Sequence, residues 1–120
     1  MRFRQVTLMV DKLEESIEFY ETFIEMTVVR RIKTETGEVV FLTSGEGQTE
    51  IELVSMPQTP KVDGKGFSLC FETENLDAKH EILKTKGFNP SEIKTPDPNS
   101  RYFWVYDPNG ISLQIRQKIQ

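Results

Sequence analysis

Apolar and polar residues alternate from Phe3 to Val10. Val6, Leu8 and Val10 fall on one face and Phe3, Gln5, Thr7 and Met9 on the other, as in a strand with one dry side. Asp11, three residues before Glu14, then suggests a capping-box-like helix start. Leu13, Ile17, Tyr20 and Ile24 follow at helical spacing, so the predicted helix lays an apolar stripe on the sheet. Three strand-like runs come next: Met26 to Ile32, Glu38 to Thr43 and Thr49 to Ser55. Turn signals at Gly37 and at Ser44-Gly45-Glu46-Gly47 separate them.

Met56 to Lys65, with two prolines, a glycine and mixed charges, reads as a linker, after which the order starts again. Phe67, Leu69 and Phe71 form the dry face of a strand opposite Ser68, Cys70 and Glu72. Asn75 is a fair N-cap for a helix carrying Leu76, Ala78, Ile82 and Leu83 and ended by Gly87. Pro96-Asp97-Pro98-Asn99 reads as a loop, Arg101 to Tyr106 as a strand, Asp107-Pro108-Asn109-Gly110 as a turn, and Ile111 to Arg116 as the last strand. The two passages superpose: Gln5 to Leu13 lines up with Ser68 to Leu76 at an offset of 63, and Glu50 to Leu53 with Ser112 to Ile115 at an offset of 62. Each half is therefore βαβββ. The predicted fold is α+β, two such modules forming a curved mixed sheet around a concave cup with the helices outside. Module 1 covers about residues 1–56, the linker about 57–65 and module 2 about 66–120, all within one domain.

Because each helix needs a dry surface, the opposite parity of every strand faces away from it. That rule turns Gln5, Thr7, Met9, Glu50, Glu52 and Val54 to the concave side in the first half. In the second it turns Ser68, Cys70, Glu72, Tyr102, Trp104, Tyr106, Ser112, Gln114 and Arg116. A polar floor with aromatic walls suits a small molecule with polar groups and a flat part. A merely wetted sheet face carries the same alternation, and the pattern alone leaves both open. Of the remaining candidates, His80 lies on the second helix, away from this face. Cys70 has mostly apolar neighbours and reads as a packing residue rather than a nucleophile. Arg116 could meet a carboxylate or phosphate, or form a salt bridge with Glu50 or Glu72.

Composition narrows the function classes. A net charge of −4 and the absence of a basic stripe speak against nucleic-acid binding. No apolar run is long enough to span a bilayer, and Met1 leads directly into a strand pattern, so neither a membrane nor a secretory signal is expected. A single cysteine, Cys70, excludes an intramolecular disulfide and fits a reducing compartment; the expected location is cytoplasmic.

The chain resembles the vicinal-oxygen-chelate superfamily of glyoxalase I, bleomycin- and fosfomycin-resistance proteins and extradiol dioxygenases. The resemblance is carried by Val10 to Tyr20, Thr49 to Leu53, Gly66 to Glu72 and Asp107 to Ile115, and it covers essentially the whole chain. It implies a metal site with one ligand from the first and last strand of each half, here Gln5, Glu52, Ser68 and Gln114. Gln5 and Glu52 match the lyase pattern, whereas Ser68 and Gln114 depart from it. With one anionic ligand, tight metal binding is not expected; a weakly held metal would use Gln5, Glu52 and Gln114. No other cofactor is expected. The resemblance further implies a homodimer and a small-molecule ligand, and the inward strand parity offers Gln5, Thr7, Glu50, Glu52, Ser68, Cys70, Tyr102, Trp104, Gln114 and Arg116 to touch it. The alternative is a lactoylglutathione-lyase-like lyase or isomerase. It would use the weakly held metal, or Glu52 as a metal-free base, since the amide of Gln114 cannot act as one.

Overall fold

The computed structural model describes residues 1–118, and these divide into two compact units, residues 1–63 and 64–118. In the first unit, β1 (Gln5–Met9) and α1 (Leu13–Thr22) precede β2 (Thr27–Lys33), β3 (Glu38–Thr43) and β4 (Glu50–Ser55). The sheet order is β1-β4-β3-β2. β1 runs parallel to β4, with Gln5 opposite Glu50 and Thr7 opposite Glu52, and the other pairs are antiparallel. The second unit repeats this with β5 (Ser68–Thr73), α2 (Leu76–Thr85), β6 (Lys94–Asp97), β7 (Ser100–Tyr106) and β8 (Ser112–Gln117), in the order β5-β8-β7-β6. Parallel β5 and β8 set Ser68 opposite Ser112 and Cys70 opposite Gln114. Each unit is thus the predicted βαβββ module with a four-stranded mixed sheet.

The core of each unit lies where its helix meets its sheet. Leu8, Val10, Ile51, Leu53, Val40 and Leu42 are buried in the first unit, and Phe103, Val105, Leu113 and Ile115 in the second. That is the parity the alternation predicted. The buried stripe of α1 is Ser16, Ile17, Phe19 and Tyr20, continued by Phe23 beyond the helix; Leu13 and Ile24 lie at its margins. Ser16 sits within this apolar stripe because its Oγ donates to the Lys12 carbonyl, one turn back, at 2.6 Å. Arg31 fastens α1 to the sheet by bridging Glu14 (2.7 Å) and Glu38 (2.5 Å), and these carboxylates hold its guanidinium above the ordinary arginine range.

The helix ends differ from expectation. The N-cap of α1 is Lys12 rather than Asp11, and no side chain caps it. Asn75 is the N-cap of α2, but the capping acceptor comes from the far strand: Gln117 Oε1 accepts from the Leu76 N–H at 3.2 Å. Gly87 closes α2 as expected. At φ +85° it donates to the Lys84 carbonyl while Phe88 N–H reaches the Leu83 carbonyl, a Schellman arrangement. In α1 the corresponding left-handed position, 62 residues earlier, is Glu25 at φ 61°.

Two further assignments are corrected. Pro96 and Asp97 belong to β6, not to a loop. Phe67 precedes β5 and is exposed rather than part of the dry face. Residues 57–62 are held to the first unit: Val62 N–H donates to the Met9 carbonyl at 2.9 Å, and the Met56 carbonyl accepts from Thr59 Oγ1 and Lys61 Nζ.

Candidate functional site

In the first unit, the sheet face away from α1 brings Gln5, Thr7 and Glu52 into one cluster. Parallel pairing sets Thr7 beside Glu52, and the Thr7 hydroxyl donates to Glu52 Oε1. The same oxygen accepts from Gln5 Nε2 at 2.9 Å. Glu50 is turned to a different partner, Arg30, whose Nη2 lies 2.9 Å from Glu50 Oε1 and whose guanidinium carbon stands 4.1 Å from the centroid of the Phe41 ring. Arg30 is a member of this face that alternation along β2 does not reveal. A bulge at Val29, between Val28 opposite Leu42 and Arg30 opposite Phe41, reverses the parity within the strand.

In the second unit the equivalent face carries Cys70, Gln114, Arg116, Tyr102 and Trp104. Cys70 Sγ donates to Gln114 Oε1 at 3.3 Å, repeating the Thr7–Glu52 pair at the matching register position. Arg116 Nη1 donates to the same Gln114 oxygen at 3.2 Å, and its guanidinium lies 5.0 Å from the Tyr102 ring centroid. Tyr102 meets Trp104 edge to face at 6.2 Å. Ser68 stands opposite Ser112, exposed, two register positions from the Cys70–Gln114 pair. Burial pushes the Cys70 thiol up; the attraction of Arg116 offsets part of that and Glu72 adds to it. A protonated thiol is a poor nucleophile, although Cys70 itself lies exposed on this face.

Beyond Trp104 the same face opens into a pocket of ≈ 460 Å³ lined by Asn89, Ser91, Trp104, Val105, Tyr106 and Ser112. The segment after α2 builds its rim. Ser91 N–H donates to the Trp104 carbonyl at 2.8 Å, and Trp104 N–H donates to Ser91 Oγ at 2.9 Å. His80 anchors this segment from the helix side: its Nε2 lies 2.8 Å from the Ser91 carbonyl, and its ring meets Phe103 edge to face at 5.0 Å. Trp104 and Tyr106 keep 37% and 65% of their surfaces accessible. Asn89 and Ser91 had no signal in the sequence. They precede β6, whose polar residues all lie exposed, so no periodicity marks the strand they run into.

The donors at Gln5, Glu52, Ser68 and Gln114 do not fit a divalent transition metal. They comprise one carboxylate, two amides and a hydroxyl, and a neutral hydroxyl or amide does little to offset a dication. Gln5 turns its amide N–H groups toward Glu52 and Thr7, and Gln114 spends its carbonyl oxygen on Cys70 and Arg116. Among the described residues no three His, Cys, Asp or Glu side chains cluster closely enough to hold a metal ion. None of the described helices is long and apolar enough to cross a membrane.

Comparison with known proteins agrees with this architecture. The family model described as Glyoxalase/Bleomycin resistance protein/Dioxygenase superfamily matches residues 2–115. Among solved structures, TnmS3, an antibiotic binding protein from Streptomyces sp. CB03234, superposes with a TM-score of 0.78 at 20% identity, covering 98% of this chain and 95% of that one. A V278E mutant of glyoxalase I from Zea mays gives 0.86 at 20% identity, covering 99% of this chain and 45% of that one. The trypanothione-dependent glyoxalase I of Leishmania major gives 0.78 at 21% identity, covering 98% and 86%. Compared with curated proteins, the sequence finds no match.

Proposed function

Since the chain belongs to the glyoxalase/bleomycin resistance protein/dioxygenase superfamily, we propose that it binds a small organic molecule on the helix-free faces of its sheets, without a tightly held metal. The observation that carries this reading is the ≈ 460 Å³ pocket beside Trp104 and Tyr106, whose rings are left accessible instead of being spent on the core. A pocket of this size matches drug-sized ligands, and aromatic walls with a few polar groups are their usual lining. The fold is also one on which an antibiotic-binding protein is built. Trp104 is the only tryptophan of the chain, so its fluorescence reports directly on the site. The test is a titration with a panel of flat aromatic, sugar-like and aliphatic molecules, followed by calorimetry of each hit on Trp104→Ala. Hits that quench Trp104 and lose affinity in the variant support the reading; a panel without any hit overturns it.

A second reading, a metal-free lyase or isomerase, draws on Glu52. Its carboxylate is held on the helix-free face by Thr7 and Gln5, the kind of positioning a general base requires. Turnover of the methylglyoxal–glutathione hemithioacetal by chelator-treated protein, lost in Glu52→Gln, supports it. Absence of turnover rejects it.

A further inference from the structure

The helix-free face of β7 and β8 carries a continuous row in which Arg116 lies over Tyr102, Tyr102 meets Trp104, and the pocket opens beyond Trp104. The two arginines on the helix-free faces are placed differently in charge. Arg30 lies over Phe41 and is neutralised by Glu50 at 2.9 Å. Arg116 lies over Tyr102, but its hydrogen-bond acceptor is the neutral amide oxygen of Gln114, and it forms no ion pair among the described residues. Glu72, its cross-strand neighbour in the β5–β8 register, is exposed to solvent. A guanidinium is always charged and presents five donors in a planar fork. One amide oxygen and one ring face leave most of that fork unused.

We infer that this face takes a flat aromatic molecule ending in a carboxylate, with the rings against Trp104 and Tyr106 and the anion on Arg116. The inference rests on the binding reading above and names its ligand class. Ser112, in the pocket wall, and Arg116 are four residues apart on β8, a span of about 13 Å at strand rise. A ligand reaching from one to the other therefore carries two or three rings in line. A carboxylate presents two oxygens in one plane that match the guanidinium fork.

The probes are biphenyl-4-carboxylate and its uncharged isostere biphenyl-4-carboxamide, titrated by calorimetry and by quenching of Trp104. The carboxylate is expected to bind about tenfold or more tightly than the carboxamide, the scale of a hydrogen bond to a charged group. R116Q should erase that preference, R116K should keep part of it, and W104A should weaken both probes. Should R116Q fail to fold, the wild-type protein decides: between about 0.05 and 0.5 M salt the carboxylate should lose affinity and the carboxamide should not. Equal binding of the two probes, a preference that survives in R116Q, or no binding of either up to about 1 mM overturns the inference. If other molecules of the wider panel still quench Trp104, the binding reading stands without the anion. If none does, both fall.

Discussion

Thr7 donates its hydroxyl to Glu52 Oε1, and at the matching register position of the second unit Cys70 donates its thiol to Gln114 Oε1. The duplicated backbone thus keeps a donor on its first strand and an acceptor on its last, while the side chains diverge from a hydroxyl–carboxylate pair to a thiol–amide pair. A double-mutant cycle of Thr7→Val and Glu52→Leu, which removes the acceptor altogether, is expected to give a coupling of about 0.5–1.5 kcal/mol in urea unfolding, the net worth of such a bond. Additive effects would show that the two side chains act independently.

The same pair in the second unit makes a chemical prediction. Burial pushes the Cys70 thiol above the ordinary range, so less thiolate is present near neutral pH and reaction with a disulfide reagent should be slower than that of free cysteine. Because Arg116 draws the thiol down and Glu72 drives it up, Arg116→Gln should move the midpoint of the pH–rate profile upward. Glu72→Gln should move it downward. Opposite shifts would contradict the electrostatic arrangement.

Asp107 is buried at the β7–β8 turn, where its Oδ1 accepts from the Asn109 and Ile111 N–H groups at 2.7 and 2.9 Å. Asp107→Ala removes both hydrogen bonds and strands the buried Ile111 amide, so a loss of about 2–4 kcal/mol is expected in chemical denaturation. Asp107→Asn keeps a side-chain carbonyl in place and should lose less.

Gln117 ties the end of β8 to the start of α2 through the Leu76 N–H, and its Nε2 donates to the Glu74 carbonyl at 2.9 Å. Gln117→Leu should destabilise the second unit by about 1 kcal/mol, the usual worth of a helix cap. Hydrogen exchange at the Leu76 amide should rise while the Leu53 amide in the first unit stays protected.

Where side-chain alternation follows burial, the chain was legible. Leu8 and Val10, Ile51 and Leu53, Phe103 and Val105, and Leu113 and Ile115 are all buried on the parity read from sequence. Legibility failed where the backbone, not the side chain, makes the structure. β6 has no apolar face, and Lys94-Thr95-Pro96-Asp97 is a strand only because it pairs with β7 at Tyr102 and Ser100. Arg30 escaped because one bulged residue shifts the parity of everything after it. Phe67 was assigned to a dry face that begins only after it.

By itself the sequence determined the duplicated βαβββ plan, the dry face of each sheet and the family. Periodicity is imposed residue by residue as each element turns one side to its core. Only the tertiary structure decided what the polar residues meet: Glu52 with Thr7, Leu76 with Gln117, the Trp104 backbone with Ser91. These partners lie 45, 41 and 13 residues apart along the chain. Hydrogen bonds depend on distance and direction in space, and nothing in a local pattern specifies either.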